Sequence, residues 1–121
     1  MFKIKNKTFY VTRGDRGSFE LSFQDYQFKN GDVIEFKVYE KNGLDSLPLL
    51  TKSKTVTASE GSTLPSVTID ILGGDTSSLA EPANKVIELW YEIILNGDQT
   101  VFCYDENGPK IFYLYPGGVD E

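Results

Sequence analysis

The amino-acid sequence predicts one all-β domain, because three observations agree. Apolar side chains recur at every second position in segment after segment, which is the spacing of a strand with one buried face. Eight Phe, seven Tyr and one Trp supply aromatic surface that suits strands, and no long segment shows a helical period. The 121 residues have room for a single domain. We assign residues 1–116 to it and residues 117–121 to a loose C-terminal tail.

About eight strands are predicted. They span residues 8–12, 18–23, 32–40, 50–57, 66–72, 86–95, 100–104 and 110–115. The alternation is clearest in 18–23, where Phe19 and Leu21 face one side and Glu20 the other. The same pattern continues in 32–40 until Asn42-Gly43 turns the chain. The Lys- and Thr-rich run 50–57 is typical of an exposed edge strand.

Residues 73–84 break the alternation. Gly73-Gly74 gives the backbone freedom, and Asp75, Thr76 or Ser77 is expected to cap a short helical turn before proline 82 ends it. We therefore predict that this segment crosses from one sheet to the other.

The expected core consists of the inward members of the alternating strands. It comprises Phe19, Leu21, Ile34, Phe36, Val38, Val67, Ile69, Leu89, Tyr91 and Ile93. Many short strands with turn signals between them predict a two-sheet antiparallel β-sandwich of immunoglobulin-like architecture. The Cys, Trp and Cys signature of antibody domains is absent, so the likeness to immunoglobulins concerns architecture only. The same strand pattern also fits a partly open barrel.

Composition argues against several classes of function. A net charge of −6 repels nucleic acid and anionic membranes. The chain has no histidine, so it lacks the commonest proton shuttle and zinc ligand. Cys103, the single cysteine, has apolar and aromatic neighbours and is expected to be packed and inert. We predict no enzymatic activity, cofactor, metal, signal peptide or membrane span.

Two short motifs allow a functional and a structural interpretation. Arg13-Gly14-Asp15 is a tripeptide that some cell-surface receptors bind, but its glycine equally suits a turn between strands, which we favour. Asp105-Glu106-Asn107-Gly108 resembles the start of a calcium loop. The expected bidentate glutamate is missing further on, so a hairpin turn is favoured there too.

The strand 86–95 indicates a second apolar surface. Its core row faces inward, yet the opposite row alternates apolar side chains with glutamates: Val86, Glu88, Trp90, Glu92 and Ile94. Either a two-residue or a four-residue loop after Leu95 would place Val101 and Cys103 on the same outer side. We therefore predict an interface formed by Trp90, Ile94, Val101 and Cys103. Its cover is either a partner or the chain's own 73–84 crossing.

Three segments near the N-terminus resemble a known family. They are 11–15 (VTRGD), 19–23 (FELSF) and 28–38 (FKNGDVIEFKV). They are similar to the N-terminal domain of the baseplate upper protein, and to related small tail and baseplate proteins, of phages and prophages of Gram-positive bacteria. The resemblance implies a non-enzymatic, immunoglobulin-like structural protein of the virion, assembled in the host cytoplasm. Its implied partners are other virion or baseplate proteins, or further copies of itself.

A glycan-binding β-sandwich, such as a small carbohydrate-binding module, is the alternative function. In that case exposed aromatic side chains such as Trp90 or Tyr39 would stack on sugar rings. An assembly surface instead has an apolar centre and a polar rim, and the alternation around Trp90 fits this description better.

Overall fold

The computed structural model of the chain describes residues 1–23, 25–43, 46–77, 79–80, 84–102 and 109–117, with Val101 and Phe102 described by their backbone alone. Within these residues the chain forms eleven strands and one helical turn. In order they are β1 (Phe2–Lys5), β2 (Thr8–Thr12), β3 (Gly17–Leu21), β4 (Phe28–Lys29), β5 (Val33–Glu40), β6 (Leu50–Thr55), β7 (Thr63–Leu64), β8 (Val67–Ile71), α1 (Gly73–Thr76), β9 (Ile87–Leu95), β10 (Gln99–Phe102) and β11 (Ile111–Tyr115).

The eight predicted strands are confirmed as β2, β3, β5, β6, β8, β9, β10 and β11. The predicted end of the seventh, residues 103–104, lies outside the described residues. Sequence reasoning missed β1, β4 and β7. The last two contain only two residues each, so they are too short to show any period. The chain is an all-β protein.

Seven strands form one sheet, in the order β1-β2-β11-β9-β5-β6 with β10 pairing to β9. Two further pairs, β3-β8 and β4-β7, complete the pairing among the described strands. One pair contradicts the prediction of a wholly antiparallel protein, because β11 runs parallel to β2. Parallel neighbours need a long connection, and these two strands come from opposite ends of the chain. The two-sheet immunoglobulin-like architecture stays a prediction.

Aromatic rings hold the centre of the core. Phe9 of β2 lies 5.2 Å from Phe36 of β5 and 5.4 Å from Phe112 of β11, measured between ring centroids. Phe19 of β3 packs edge-on against Phe9 at 5.0 Å, so the β3-β8 pair lies against the inner face of the large sheet. All ten predicted core residues are buried. Burial of such side chains stabilises the fold by about 1.5–3 kcal/mol each.

The Arg13-Gly14-Asp15 tripeptide is a structural turn, as favoured from the sequence. Gly14 has a φ of 83°, and its amide donates to Oγ1 of the buried Thr76 at 3.0 Å. Arg13 is only 7% exposed and donates to the carbonyl of Ala80. Asp15 pairs with the amino group of Met1. The guanidinium is therefore turned into the protein, and not outward toward a receptor.

The helical turn α1 starts earlier than predicted. Leu72 occupies the N-cap position, and Asp75 lies inside the turn with its carboxylate accepting from the Leu72 amide at 2.7 Å. Lys52 of β6 pairs with the same carboxylate at 2.9 Å. The turn therefore ties the end of β8 to the edge of the large sheet. Residues 78 and 81–83 of the predicted crossing, proline 82 included, lie outside the described residues.

Candidate docking surface on the outer face of the large sheet

The strand β9 divides its side chains between two environments. Leu89, Tyr91 and Ile93 are buried in the core, each less than 3% exposed. Trp90 and Ile94 point to the opposite face and are half-buried. This division follows from the period of two along a strand, which the sequence already displayed. The outer face is therefore a second, partly apolar surface.

Trp90 lies at the centre of a row that crosses three strands. Its register partners are Tyr39 on β5 and Ile111 on β11. Tyr39 is only 3% exposed, although it lies on the outer face, and its hydroxyl donates to Oε2 of Glu92. We call Tyr39, Trp90 and Ile111 the Trp90 row. The row joins residues far apart in the chain, so only strand pairing brings them together.

A second row crosses four strands beside the first. Tyr10 of β2 pairs with Tyr113 of β11, and their rings stack at 5.5 Å with an angle of 24° between planes. Lys3 of β1 is the register partner of Tyr10 and holds its ammonium 5.3 Å from the ring centroid. Glu88 of β9 is the partner of Tyr113. We call Lys3, Tyr10, Tyr113 and Glu88 the tyrosine row.

Charged side chains surround these rows. Lys37 of β5 lies opposite Glu92 of β9, and Glu35 lies opposite Ile94. Glu88 forms an ion pair with Lys41 at 3.8 Å. Both of its members are substantially exposed, so the pair adds little stability. An apolar and aromatic centre with a charged rim is the composition of many protein interfaces.

The β9-β10 connection differs from the prediction. Asn96 and Gly97 have positive φ angles of 54° and 76°, as an Asn-Gly hairpin turn requires. The ladder nevertheless pairs Leu95 with Gln99, leaving three residues between them, and the register then shifts between Thr100 and Phe102. Thr100, and not Val101, therefore lies opposite Ile94. The predicted loop lengths of two or four residues were wrong.

The four predicted interface residues are only partly brought together by the described structure. Trp90 and Ile94 share the outer face of β9. Val101 is described by its backbone alone, at the register shift of β10, and Cys103 lies outside the described residues. The role of the four as an interface stays a prediction. Tyr10, Tyr113 and Lys3 were missed, because sequence reasoning did not place β11 beside β2.

The described part of the 73–84 crossing lies on the other side of the sheet. Leu79 and Ala80 pack against the buried core cluster, and the Ala80 carbonyl accepts from Arg13. Leu79 and Ala80 also line a cleft of about 540 Å³ with Ile87 and Leu89. Since these contacts are on the core side, this part of the crossing does not cover Trp90.

Compared with protein-family models, with curated proteins and with solved structures, the chain gives no significant match. Among the described residues the sole helix is α1, whose four residues fall far short of a membrane span.

Ionisable groups on the inner side have structural partners. Tyr91 donates its hydroxyl to the carbonyl of Lys7 at 2.6 Å, and burial raises the pKa of its phenol. Within the described ranges, no three acidic or cysteine side chains are grouped as metal ligands would be. The candidate calcium loop at 105–108 lies outside those ranges, so its interpretation stays a prediction.

Proposed function

We propose that this chain is a non-enzymatic assembly protein that docks through the outer face of its large sheet. We further propose that it belongs to the tail tip or baseplate of a phage or prophage, with an immunoglobulin-like two-sheet sandwich as its fold. The observation that carries the proposal is the Trp90 row. A tryptophan, a tyrosine and an isoleucine lie in one line on the face that the core does not use.

The energetics support cover by another protein. Trp90, Ile94 and Ile111 each keep part of their surface accessible. These side chains are already half-buried, so completing their burial contributes part of the roughly 1.5–3 kcal/mol that burial of a whole exposed side chain gives. Trp and Tyr dominate the energetics of many interfaces, whereas a charged rim mainly sets orientation and association rate. A partner with an apolar centre would therefore gain most of its affinity from Trp90, Ile94 and Ile111, whereas Tyr39 is already buried.

The segments that resemble baseplate proteins have structural roles here. Residues 11–15 end β2 and form the turn that holds Thr76, 19–23 cover most of β3, and 28–38 cover β4 and most of β5. The resemblance therefore concerns elements that build the fold. It supports a shared architecture and an assembly role, and leaves the choice of partner to the outer face.

Assembly is favoured over the glycan-binding alternative by the placement of the aromatic side chains. Sugar stacking needs an open ring face. Tyr39 is 3% exposed, and Tyr10 and Tyr113 stack on each other. Trp90 beside Glu88 and Glu92 is the part of this face that best suits a sugar. A glycan array with the wild-type protein tests the alternative directly.

The decisive variant is Trp90→Lys. A lysine at this position lies between Glu88 and Glu92 on the same strand face, so the monomer keeps favourable charge neighbours while the apolar centre of the face is lost. We expect a folded protein that no longer enters virion particles assembled in host cells. Leu47→Lys is the matched control, since Leu47 is 88% exposed.

Circular dichroism and thermal melting check the fold, and the variant protein in purified particles is quantified by mass spectrometry. Normal incorporation of Trp90→Lys would contradict docking through this face. Unfolding of the variant would also contradict it, because Trp90 would then belong to the core. Hydrolysis of a glycan or peptide, lost on a single carboxylate substitution with the fold intact, would contradict the non-enzymatic role.

A further inference from the structure

The outer face over β1, β2, β11 and β9 has an ordered charge pattern. The tyrosine row begins with a lysine on β1, continues through two stacked tyrosines and ends with a glutamate on β9. Lys3 is exposed, and the side chain of Glu88 is 34% exposed. Basic and acidic groups therefore stand at opposite ends of one straight row.

The Trp90 row extends across the same four strands. Lys5 of β1 pairs with Thr8 of β2, while Ile111 of β11 pairs with Trp90 of β9. Phe9 pairs with Phe112 in the parallel ladder, so Thr8 stands beside Ile111. Over these four strands the row runs from a lysine on β1 to the ring of Trp90 on β9, and Tyr39 of β5 continues it.

Such rows are complementary to themselves. Consider a second copy packed face to face on this surface and related to the first by a rotation of 180°. The axis runs parallel to the strands, midway between the two sheets and above the boundary between β2 and β11. This rotation places β1 of the second copy over β9 of the first, and β2 over β11. Each Lys3 then faces a Glu88, each Tyr10 faces a Tyr113, and each Lys5 faces the ring of Trp90. Packed sheets stand about 10 Å apart, a distance that such side chains span. The Lys3–Glu88 charge pair and the Lys5–Trp90 cation–π contact each form twice by symmetry.

We propose that a second copy of this chain covers this half of the outer face as a two-fold dimer. The inference rests on the proposed function, which makes the outer face a docking surface, and it names the partner. Complementary charge within one row is what a self-contact between identical faces requires. The outer strands of the large sheet argue against edge-to-edge pairing, since β1 carries Lys3 and Lys5 and β6 carries Lys52 and Lys54.

The test is a charge swap measured by sedimentation equilibrium over a wide concentration range. Lys3→Glu and Glu88→Lys each put like charges opposite one another twice, so each is expected to raise the dimer Kd by about tenfold or more. The double variant Lys3→Glu/Glu88→Lys restores the pairs with reversed polarity and is expected to return Kd close to the wild-type value. Lys54→Glu on β6 is the matched control and is expected to leave Kd unchanged.

The outcomes separate this inference from the proposed function. A wild-type chain that stays monomeric at every concentration overturns the dimer, while loss of Trp90→Lys from virion particles would still support docking by this face. This geometry is overturned if the dimer Kd is unchanged in Lys3→Glu and Glu88→Lys. It is also overturned if the double variant does not return Kd close to the wild-type value. Rescue by the double variant, combined with normal incorporation of Trp90→Lys, supports the dimer and overturns the proposed function.

Discussion

The hydroxyl of Tyr26 donates a 2.6 Å hydrogen bond to Oδ2 of Asp32, a side chain that is only 6% exposed. The same oxygen accepts from the Lys29 amide at 2.9 Å, and Oδ1 accepts from Nδ2 of Asn96 at 3.2 Å. Asn96 also forms two hydrogen bonds with the backbone of Val33. Its Oδ1 accepts from the Val33 amide, and its own backbone amide donates to the Val33 carbonyl. One buried carboxylate thus ties the start of β5 to the turn that follows β9.

The Asp32 cluster is expected to make stability depend on pH. Burial alone raises the pKa of this carboxyl, but hydrogen bonds from Lys29, Tyr26 and Asn96, with the nearby Lys29 charge, outweigh it and lower the pKa overall. A lowered folded-state pKa adds stability above the ordinary aspartate value of about 3.9, and this stability is lost as the pH falls through the folded-state value.

Asp32→Asn should therefore lower the free energy of unfolding at pH 7 by on the order of 1–3 kcal/mol. The difference in free energy of unfolding between wild type and the variant should become smaller as the pH falls below about 4. Urea titrations at several pH values measure both effects. Asp70→Asn, at an exposed position on β8, is the control and should change little. A difference in free energy of unfolding that stays constant down to pH 3 would contradict the stabilising role of the Asp32 charge.

Phe36→Ala is expected to be the most damaging single truncation among the core strands. Its ring is fully buried and lies 5.2–5.5 Å from Phe9, Phe19 and Tyr91. The cavity should cost about 3–5 kcal/mol in a denaturant titration. Leu47→Ala, at an 88% exposed site, should stay within about 0.5 kcal/mol of wild type. A loss below about 1 kcal/mol for Phe36→Ala would show that the inward face is misassigned.

Two adjacent glycines offer a matched pair of variants. A Cβ added at Gly73 would lie 2.5 Å from the carbonyl oxygen of Gly14, and backbone cannot move aside as a side chain can. Gly73→Ala should cost about 1–3 kcal/mol through this overpacking. A Cβ at Gly74 meets nothing within 4 Å. Gly74→Ala should be neutral or stabilise by up to about 1 kcal/mol. Equal melting temperatures for the two variants would contradict the close approach of α1 to the 13–15 turn.

The sequence by itself determined the local features, namely the strands, the two faces of each strand and a turn, because these depend on residues close together in the chain. Alternating residues predicted eight strands and ten buried core residues, because a strand exposes its two faces in turn whatever it pairs with. The same alternation placed Trp90 and Ile94 on the face opposite Tyr91 and Ile93. The glycine at position 14 also favoured a turn, and the backbone there adopts a positive φ that glycine tolerates best.

Only the tertiary structure decided which strands lie side by side. The stack of Tyr10 on Tyr113, the burial of Tyr39 beside Trp90, and the bond from Asn96 to Asp32 all join distant parts of the chain. The three-residue β9-β10 connection and the parallel β2-β11 pair likewise departed from local rules. A strand's alternation is encoded in consecutive residues, whereas its neighbours are selected by how all the strands together bury one shared core.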